Sequence, residues 1–168
     1  MVKIIDTTRA GYDLLERQRL TMNIRQMLLN KTPMFNNWAE IEMFIGIDQL
    51  EDDVEDDQVF SVLARLSDIL GFMPDSSHIN PQAEQQYPDQ QGTSIAYLHY
   101  TIGRRDYYIT NRDHGSRQWR AFGMIDTGGL HGQMDFVCIR ELLRAGALLD
   151  LDWQPRPLSS VKTRNCDF

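Results

Sequence analysis

Cysteines, long apolar runs and export signals are scarce or absent in this chain. It has two cysteines, Cys138 and Cys166, among 168 residues, and no apolar run close to the roughly 20 residues that a membrane helix needs. The first residues, MVKIIDTTRAGYD, carry one lysine and a two-residue apolar patch before Asp6, which is unlike a secretory signal. We therefore expect a cytoplasmic protein with reduced thiols and no membrane segment.

Sequence motifs for metal ions and phosphate groups are also missing. The histidines lie too far from one another and from the cysteines for a local zinc motif: His78, His99, His114 and His131. The glycine-rich stretch DTGGLHG lacks the spacing of a phosphate-binding loop. The EF-hand pattern fails because Leu50 holds the third position of a register that starts at Asp48. These absences predict no metal, no cofactor and no catalytic residues.

One catalytic arrangement stays open as an alternative. His99 and His131 fall on or beside predicted strands, and Cys138 lies at the end of one, so the fold could join them as nucleophile and base. Such an enzyme would hold these side chains within about 4 Å of one another around a pocket. The apolar context of Cys138, FVCIREL, favours a small buried side chain instead.

Charge is divided unevenly along the chain. Residues 1–98 hold seven Lys and Arg against sixteen Asp and Glu, a net of −9, whereas residues 99–168 hold ten against eight, a net of +2. The densest stretch is DQLEDDVEDDQ, which places seven carboxylates in the ten positions 48–57. A helix dipole stabilises carboxylates in a first turn by about 0.3–1 kcal/mol each. Seven exceed what one helix end needs, and they repel one another.

The first half of the chain has helical periodicity. Helices are predicted from a cap at Thr7 or Thr8 to about residue 30, over WAEIEMFIGI after a cap at Asn37, and over DDQVFSVLARLSDILGF, closed by Gly71. Residues 74–92, with three prolines and a run of glutamines, are predicted to be a linker that is mobile or draped over the surface.

The second half changes to the two-residue period of strands. Four strands are predicted in TSIAYLHYTI, YYITNR, WRAFGMID and LHGQMDFVCI, joined by turns too short for parallel crossovers. RELLRAGA then forms a short helix, and LLDLDWQPRPLSS an extended arm. The prediction is an α+β fold: N-terminal helices, then a four-stranded antiparallel meander with a short C-terminal helix and an extended arm. We divide it into a helical region, 1–73, the linker, and a sheet region, 93–168, which together also fit one compact domain.

A motif near the carboxyl end resembles a known family. Residues 122–161 contain an aromatic-Gly-hydrophobic strand, a strand running into EL, and a D-L-x-W-x-P-x-P-L-S tail, at Phe122-Gly123-Met124, Glu141-Leu142 and Asp150 to Ser159. This stretch is similar to an uncharacterised domain family found on plasmids, conjugative elements and phages. It departs from that pattern at Met134-Asp135-Phe136. The resemblance implies a mobile-element origin, where accessory proteins often counter host restriction or CRISPR systems.

Taken together, these features predict a non-catalytic phage or mobile-element protein that inhibits a host defence system, of anti-CRISPR or anti-restriction type. Its partner would be a defence protein with a basic surface, to which it blocks nucleic-acid access. The predicted partner-binding residues are the carboxylates of the acidic segment: Asp48, Glu51, Asp52, Asp53, Glu55, Asp56 and Asp57. The alternatives are a plain solvated helix face, or an immunity protein that neutralises a basic nuclease toxin.

A second surface is predicted at the basic hairpins. Arginines alternate there with aromatic residues, and the candidates for secondary contact are Arg104, Arg105, Tyr107, Tyr108, Arg117 and Trp119. Exposed arginines and aromatics on a sheet bind single-stranded nucleic acid in some proteins, but the acidity of the whole chain disfavours this. The hairpins would therefore add apolar contact to the protein interface, or pair with the acidic segment of a second copy in a homodimer.

Overall fold

A computed structural model describes residues 38–46, 48–50, 58–80, 93–115, 120–128 and 132–162 of the chain. The helix predicted before residue 31 lies outside these ranges, as do residues 51–57 of the acidic segment. No helix in the described ranges is long and apolar enough to cross a membrane.

The described helices are α1 (Trp38–Ile41), α2 (Val59–Phe72) and α3 (Ile139–Arg144). The strands are β1 (Ile95–Ala96), β2 (Leu98–Ile102), β3 (Arg105–Asn111), β4 (Ala121–Asp126), β5 (Gln133–Val137), β6 (Leu148–Leu149) and β7 (Arg156–Pro157), followed by a 3₁₀ turn at Leu158–Ser160. Helix α1 is shorter than predicted, and Gly71 lies inside α2 rather than closing it.

The main sheet has five strands in the order β5-β4-β3-β2-β6, and every neighbouring pair is antiparallel. The predicted α+β class is confirmed, and strands β2 to β5 form a meander. The prediction of four strands is wrong in one respect: Leu148 and Leu149, assigned to the arm, pair with Thr101 and Tyr100 as a fifth strand. The arm also returns at β7, which pairs with β1 in a separate two-stranded sheet.

One face of the sheet, the helix face, packs against the helices. Tyr100 and Ile109 from the strands share a single apolar cluster with Phe44, Leu63 and the other buried residues of the helical region. The Tyr100 hydroxyl donates a 2.7 Å hydrogen bond to the carbonyl oxygen of Phe44, and complete burial raises the pKa of this phenol well above its usual value. The helical and sheet regions therefore share one core.

The opposite face, the arm face, carries a second apolar cluster. Tyr108, Phe122 and Met124 from the strands are covered by Trp153 and Leu158 from the residues after β6. We call residues 150–161 the C-terminal arm. Because both faces are covered, the strands of the meander have nearly continuous burial instead of the simple alternation of a half-exposed sheet.

An irregularity at Tyr97 changes which face the first strand presents. The Tyr97 amide donates to the Ile109 carbonyl, although Leu98 is the residue that pairs with Ile109. Ala96 consequently belongs to the cluster of the arm face, whereas Leu98 belongs to that of the helix face. A strict two-residue period would place Ala96 and Leu98 on one face, but the irregularity at Tyr97 acts as a β-bulge and turns them to opposite faces.

Each edge strand of the sheet has backbone groups that are hydrogen-bonded to side chains. At β6 the Gln49 amide donates to the Leu149 carbonyl over 2.6 Å, and its oxygen accepts the Leu149 N–H over 3.0 Å. At β5 the Phe136 N–H donates to the carboxylate of Asp135 over 2.7 Å. Side chains thereby occupy backbone groups that would otherwise pair with another strand.

The first part of the predicted linker is packed on the sheet. The Ser76 N–H donates to the Arg112 carbonyl, and its hydroxyl donates to the carbonyl of Arg120. Arg112 also forms an ion pair with Glu40 of α1, and burial lowers the pKa of its guanidinium below the usual value. Residues 74–80 therefore connect the helices to β3 and β4, while residues 81–92 lie outside the described ranges.

The backbones of β3 and β4 approach each other closely at Gly123. A Cβ built there would collide with the Tyr108 carbonyl and lie 2.8 Å from the Ile109 Cα, beside the register shift between Ile109 and Asn111. A Cβ at Gly71, in the last turn of α2, would meet nothing within 4 Å. The fold therefore excludes a side chain at Gly123 and has room for one at Gly71.

We expect Gly123→Ala and Gly71→Ala to change stability in opposite directions. The first forces the backbones of β3 and β4 apart and should lower the free energy of unfolding by roughly 1–3 kcal/mol. The second improves helix propensity and should raise it by up to about 1 kcal/mol. Urea unfolding of the two variants beside the wild type provides the measurement. Equal effects of both substitutions would contradict the packing described for Gly123.

Candidate functional site

The described structure fixes both ends of the acidic segment, residues 48–57. Asp48 is exposed, whereas Gln49 binds β6 and Leu50 is buried in the core of the helix face. On the other side, Val59 starts α2 and is buried in that same core. The remaining carboxylates lie between these two anchors, outside the described residues: Glu51, Asp52, Asp53, Glu55, Asp56 and Asp57.

The secondary contact residues divide into two groups. Arg104 and Arg105 are exposed at the tip of the β2–β3 hairpin. Tyr107 and Tyr108 are only 8% and 5% exposed, with their rings in the two apolar clusters. The expectation that these tyrosines offer apolar contact to a partner is therefore wrong, because strand β3 is covered on both faces. The other two candidates, Arg117 and Trp119, lie outside the described ranges.

The enzyme alternative required His99 and Cys138 to converge, and they do not. His99 lies on β2 and Cys138 follows β5, which is three strands away in the sheet order. Strands are spaced about 4.8 Å apart, so roughly 14 Å separates these positions across the sheet. His131, the third member of that group, lies outside the described residues.

Instead, His99 joins two carboxylates on the arm face. Its Nε2 lies 3.0 Å from Oδ1 of Asp106 on β3, and its Nδ1 lies 2.9 Å from Oδ2 of Asp150 at the start of the arm. The His99 side chain is 12% exposed, against 2% for Asp106 and 35% for Asp150. Each ring nitrogen of His99 therefore faces one carboxylate oxygen, from β3 on one side and from the arm on the other.

Aromatic rings hold this histidine in place. The His99 ring stacks on Tyr108 with 4.6 Å between centroids and 5° between planes, and Trp153 of the arm lies 4.9 Å away at a tilt. Trp153 is itself fixed, because its indole N–H donates to the Ala96 carbonyl over 3.0 Å. The ring therefore has little freedom to turn away from its two partners.

A further carboxylate lies beside this group. Asp126 on β4 is the cross-strand partner of Asp106, and it is fully buried. Its Oδ1 accepts the N–H of Gly128 over 2.8 Å, and Gly128 adopts the positive φ of 84° that such a turn requires. In the described part of the chain, no group of three or more His, Cys, Asp or Glu is arranged to hold a metal ion.

The chemistry open to this cluster is limited by its own contacts. Both nitrogens of His99 face carboxylate oxygens of the chain, so neither is directed at a substrate. These hydrogen bonds lie largely inside the fold, where losing a polar partner costs more than it does at the surface. We therefore interpret the cluster as a structural junction between β2, β3 and the arm.

Several residues of the carboxyl-terminal motif hold the arm on the sheet. Asp150 binds His99, Trp153 lies against its ring, Pro157 pairs with Ile95, and Leu158 is buried in the second apolar cluster. These four residues therefore have structural roles in the fold. The sequence predicted an extended arm here, without the surface on which the arm packs.

The approach of His99 to Asp106 could have been predicted from the sequence. A two-residue turn at Gly103 and Arg104 sets Ile102 opposite Arg105, and the same register brings His99 and Asp106 to diagonal positions on one face. Asp150 had no such signal, because its approach depends on a two-residue strand, β6, that periodicity did not reveal. Comparison with known proteins adds no further assignment: family models, curated proteins and solved structures give no match to this chain.

We expect His99→Leu to destabilise the fold, because it removes the hydrogen bonds of the ring to Asp106 and Asp150 at a largely buried position. The free energy of unfolding should fall by roughly 1–3 kcal/mol, the usual effect of removing the partner of a buried polar group. His78→Leu is the matched control, since His78 is exposed and should change stability by less than about 0.5 kcal/mol. Similar losses in the two variants would argue against a structural role of the His99 contacts.

Proposed function

We propose that this protein is a non-catalytic inhibitor of a host defence system, carried by a phage or mobile element. It binds a basic, nucleic-acid-binding surface of a defence protein and blocks nucleic-acid access. The acidic segment makes the contact, and the exposed hairpin arginines Arg104 and Arg105 contribute at the margin. This extends the expectation from charge density and from the family resemblance of residues 122–161.

The observation that supports the proposal most is the anchoring of the acidic segment at both ends. Leu50 and Val59 are buried in one apolar core, at 9% and 6% exposure, and Gln49 is bonded to the backbone of β6. A charged segment tethered at two points loses less conformational entropy on binding than a free tail of the same composition. Its seven carboxylates are thus attached to a rigid scaffold.

The distribution of the other carboxylates also supports it. In the described sheet region Asp106, Asp113 and Asp126 are buried, and Asp150 pairs with His99. The three buried carboxylates contribute little to the outer surface. The acidic segment is the densest concentration of negative charge in the sequence. Complementary charge of this density raises association rates and selects basic partners.

Charge reversal within the segment tests the proposal. A variant with Asp52, Asp53, Asp56 and Asp57 changed to Lys should lose binding to its partner by about a hundredfold or more, because close interfacial charge pairs couple by roughly 1.5–7 kcal/mol. Partners are captured from host lysate on the immobilised wild-type protein, and affinity for the captured protein is then measured by calorimetry in 150 mM salt.

The matched control reverses four exposed carboxylates elsewhere, Glu42, Asp68, Glu141 and Asp152, with the same change in net charge. This control should retain binding to within a few fold, and both variants should keep the circular dichroism spectrum of the wild type. A folded segment variant that still inhibits would reject the proposal. Capture of a nuclease toxin in place of a defence protein would also reject it, in favour of an immunity protein.

A further inference from the structure

A cavity lies on the arm face, between the sheet and the first part of the predicted linker. Its volume is about 230 Å³, and its walls come from residues 74–79, from β1 and its neighbours, and from strands β3, β4 and β5. We propose that this cavity is a binding site for a neutral aromatic ring that carries an amide or lactam group. The proposal does not depend on the protein partner proposed above.

The polar wall of the cavity comes from two consecutive residues of β3, Thr110 and Asn111. Consecutive side chains of a strand normally point to opposite faces, but the pairing of β3 with β4 shifts register between Ile109 and Asn111. The Thr110 hydroxyl donates a 2.7 Å hydrogen bond to Oδ1 of Asn111, so both side chains lie on one side of the strand. Bulges redirect side chains in this way and are common next to active sites.

Hydrogen-bonding groups remain available in the lining. One N–H of the Asn111 amide donates to the Asp75 carbonyl over 3.3 Å, and the amide has a second N–H. Within the described residues, neither that N–H nor the hydroxyl of Ser94, which lines the cavity beside β1, has a hydrogen-bond partner. The N–H suits a carbonyl oxygen, and a serine hydroxyl both donates and accepts. Together they match the two polar groups of an amide or lactam.

The apolar wall suits a planar ring. Phe122 of β4 and Met134 of β5 line the cavity and belong to the second apolar cluster. Aromatic rings and thioether sulfurs both make favourable contacts with an aromatic ligand. An engineered apolar cavity of about 150 Å³ binds benzene, and pockets for drug-sized ligands begin at about 300 Å³. A volume of about 230 Å³ therefore corresponds to one ring with a small polar substituent.

The lining also determines the charge of the ligand. None of the residues that line the cavity is charged. An ion would lose its hydration there without a counter-charge on the walls, which costs far more than the burial of a neutral polar group. Arg112, the next residue after Asn111, is outside the lining and is engaged by Glu40 and by His114. These features favour a neutral amide over a phosphate, a carboxylate or an amine.

Backbone hydrogen bonds hold the walls in place. The Arg112 N–H donates to the Pro74 carbonyl over 3.0 Å, and the Ser76 N–H donates to the Arg112 carbonyl over 2.9 Å. On the side of β1, the Leu158 N–H donates to the Ser94 carbonyl over 2.8 Å. The cavity is therefore formed before a ligand binds, which keeps the entropic cost of binding low.

Benzamide and benzoate are matched probes of this site, because they have nearly the same shape and differ in charge. We expect benzamide to bind with a Kd on the order of 1 mM, as suits a ligand of its size, and benzoate to bind at least about tenfold more weakly. NMR titration of ¹⁵N-labelled protein gives both affinities. Nuclear Overhauser effects from the benzamide ring to the methyl groups of Ile79 and Met134 should locate the bound ring in the cavity.

Two variants in the same apolar cluster separate the cavity from its surroundings. Ile79 and Val161 are both half-buried against this cluster, but of the two only Ile79 lines the cavity. Ile79→Trp fills the cavity and should weaken benzamide binding by about tenfold or more, whereas Val161→Trp should leave it unchanged. Undetectable binding of benzamide to the wild type, equal affinity for the two probes, or unchanged affinity in Ile79→Trp would each overturn the proposal. If Ile79→Trp fails to fold, the location of the ring in the wild type decides.

Discussion

Apolar contact between α2 and the helix face of the sheet is the interaction on which the rest of the structure depends. Val59, Leu63, Leu66 and Leu70 are all buried along one side of α2. At about 1.5–3 kcal/mol for each such side chain, this stripe contributes roughly 6–12 kcal/mol before entropy is counted. The Arg112–Glu40 ion pair is a single contact beside these four buried side chains, so it adjusts the packing but does not create it.

The same contact determines where the acidic segment is attached. Because α2 begins at Val59 in this core, and Leu50 is buried in it as well, the intervening residues begin and end at the sheet. Gln49 bonds to strand β6, which is one edge of the sheet. The same short stretch of chain therefore caps this edge and attaches the start of the acidic segment to the core.

The arm face is organised by polar contacts set among aromatic rings. His99 lies against the rings of Tyr108 and Trp153 and contacts Asp106 and Asp150. This arrangement helps to specify one position for the arm, since a shifted arm would separate Asp150 and Trp153 from His99. The enzyme alternative placed His99 beside Cys138, whereas the fold uses this histidine to join strands β2 and β3 to the arm.

Periodicity predicted the elements with strong local signals. Helix α2 and strands β2 to β5 were predicted correctly. The apolar residues recur with the 3.6-residue period of a helix in α2 and with the two-residue period of a strand in β2 to β5. The missing strand β6 has two residues, too few for any period to be read, and its partner is 47 residues earlier in the chain. Tyr107 and Tyr108 are buried because both faces of the sheet are covered, and this depends on tertiary packing. The bulge at Tyr97 likewise has no signal in the local sequence pattern.

For the candidate site, the sequence shows which charged residues are present but not how the fold anchors them. Seven carboxylates in ten positions are visible by inspection, while their anchoring by Gln49, Leu50 and Val59 required the fold. The register of the β2–β3 hairpin places Asp106 beside His99, so this contact could be predicted from the sequence. The contact with Asp150 could not, because Asp150 lies 51 residues after His99 in the chain.

The central claim is that the protein acts through the acidic segment and uses the sheet as its scaffold. Hydrogen-exchange mass spectrometry of the protein, alone and bound to its captured partner, tests this most directly. Partner binding should slow exchange in peptides covering residues 48–58 and leave peptides covering β4, β5 and the arm unchanged. Protection confined to the sheet and arm, with no change at the acidic segment, would contradict this claim.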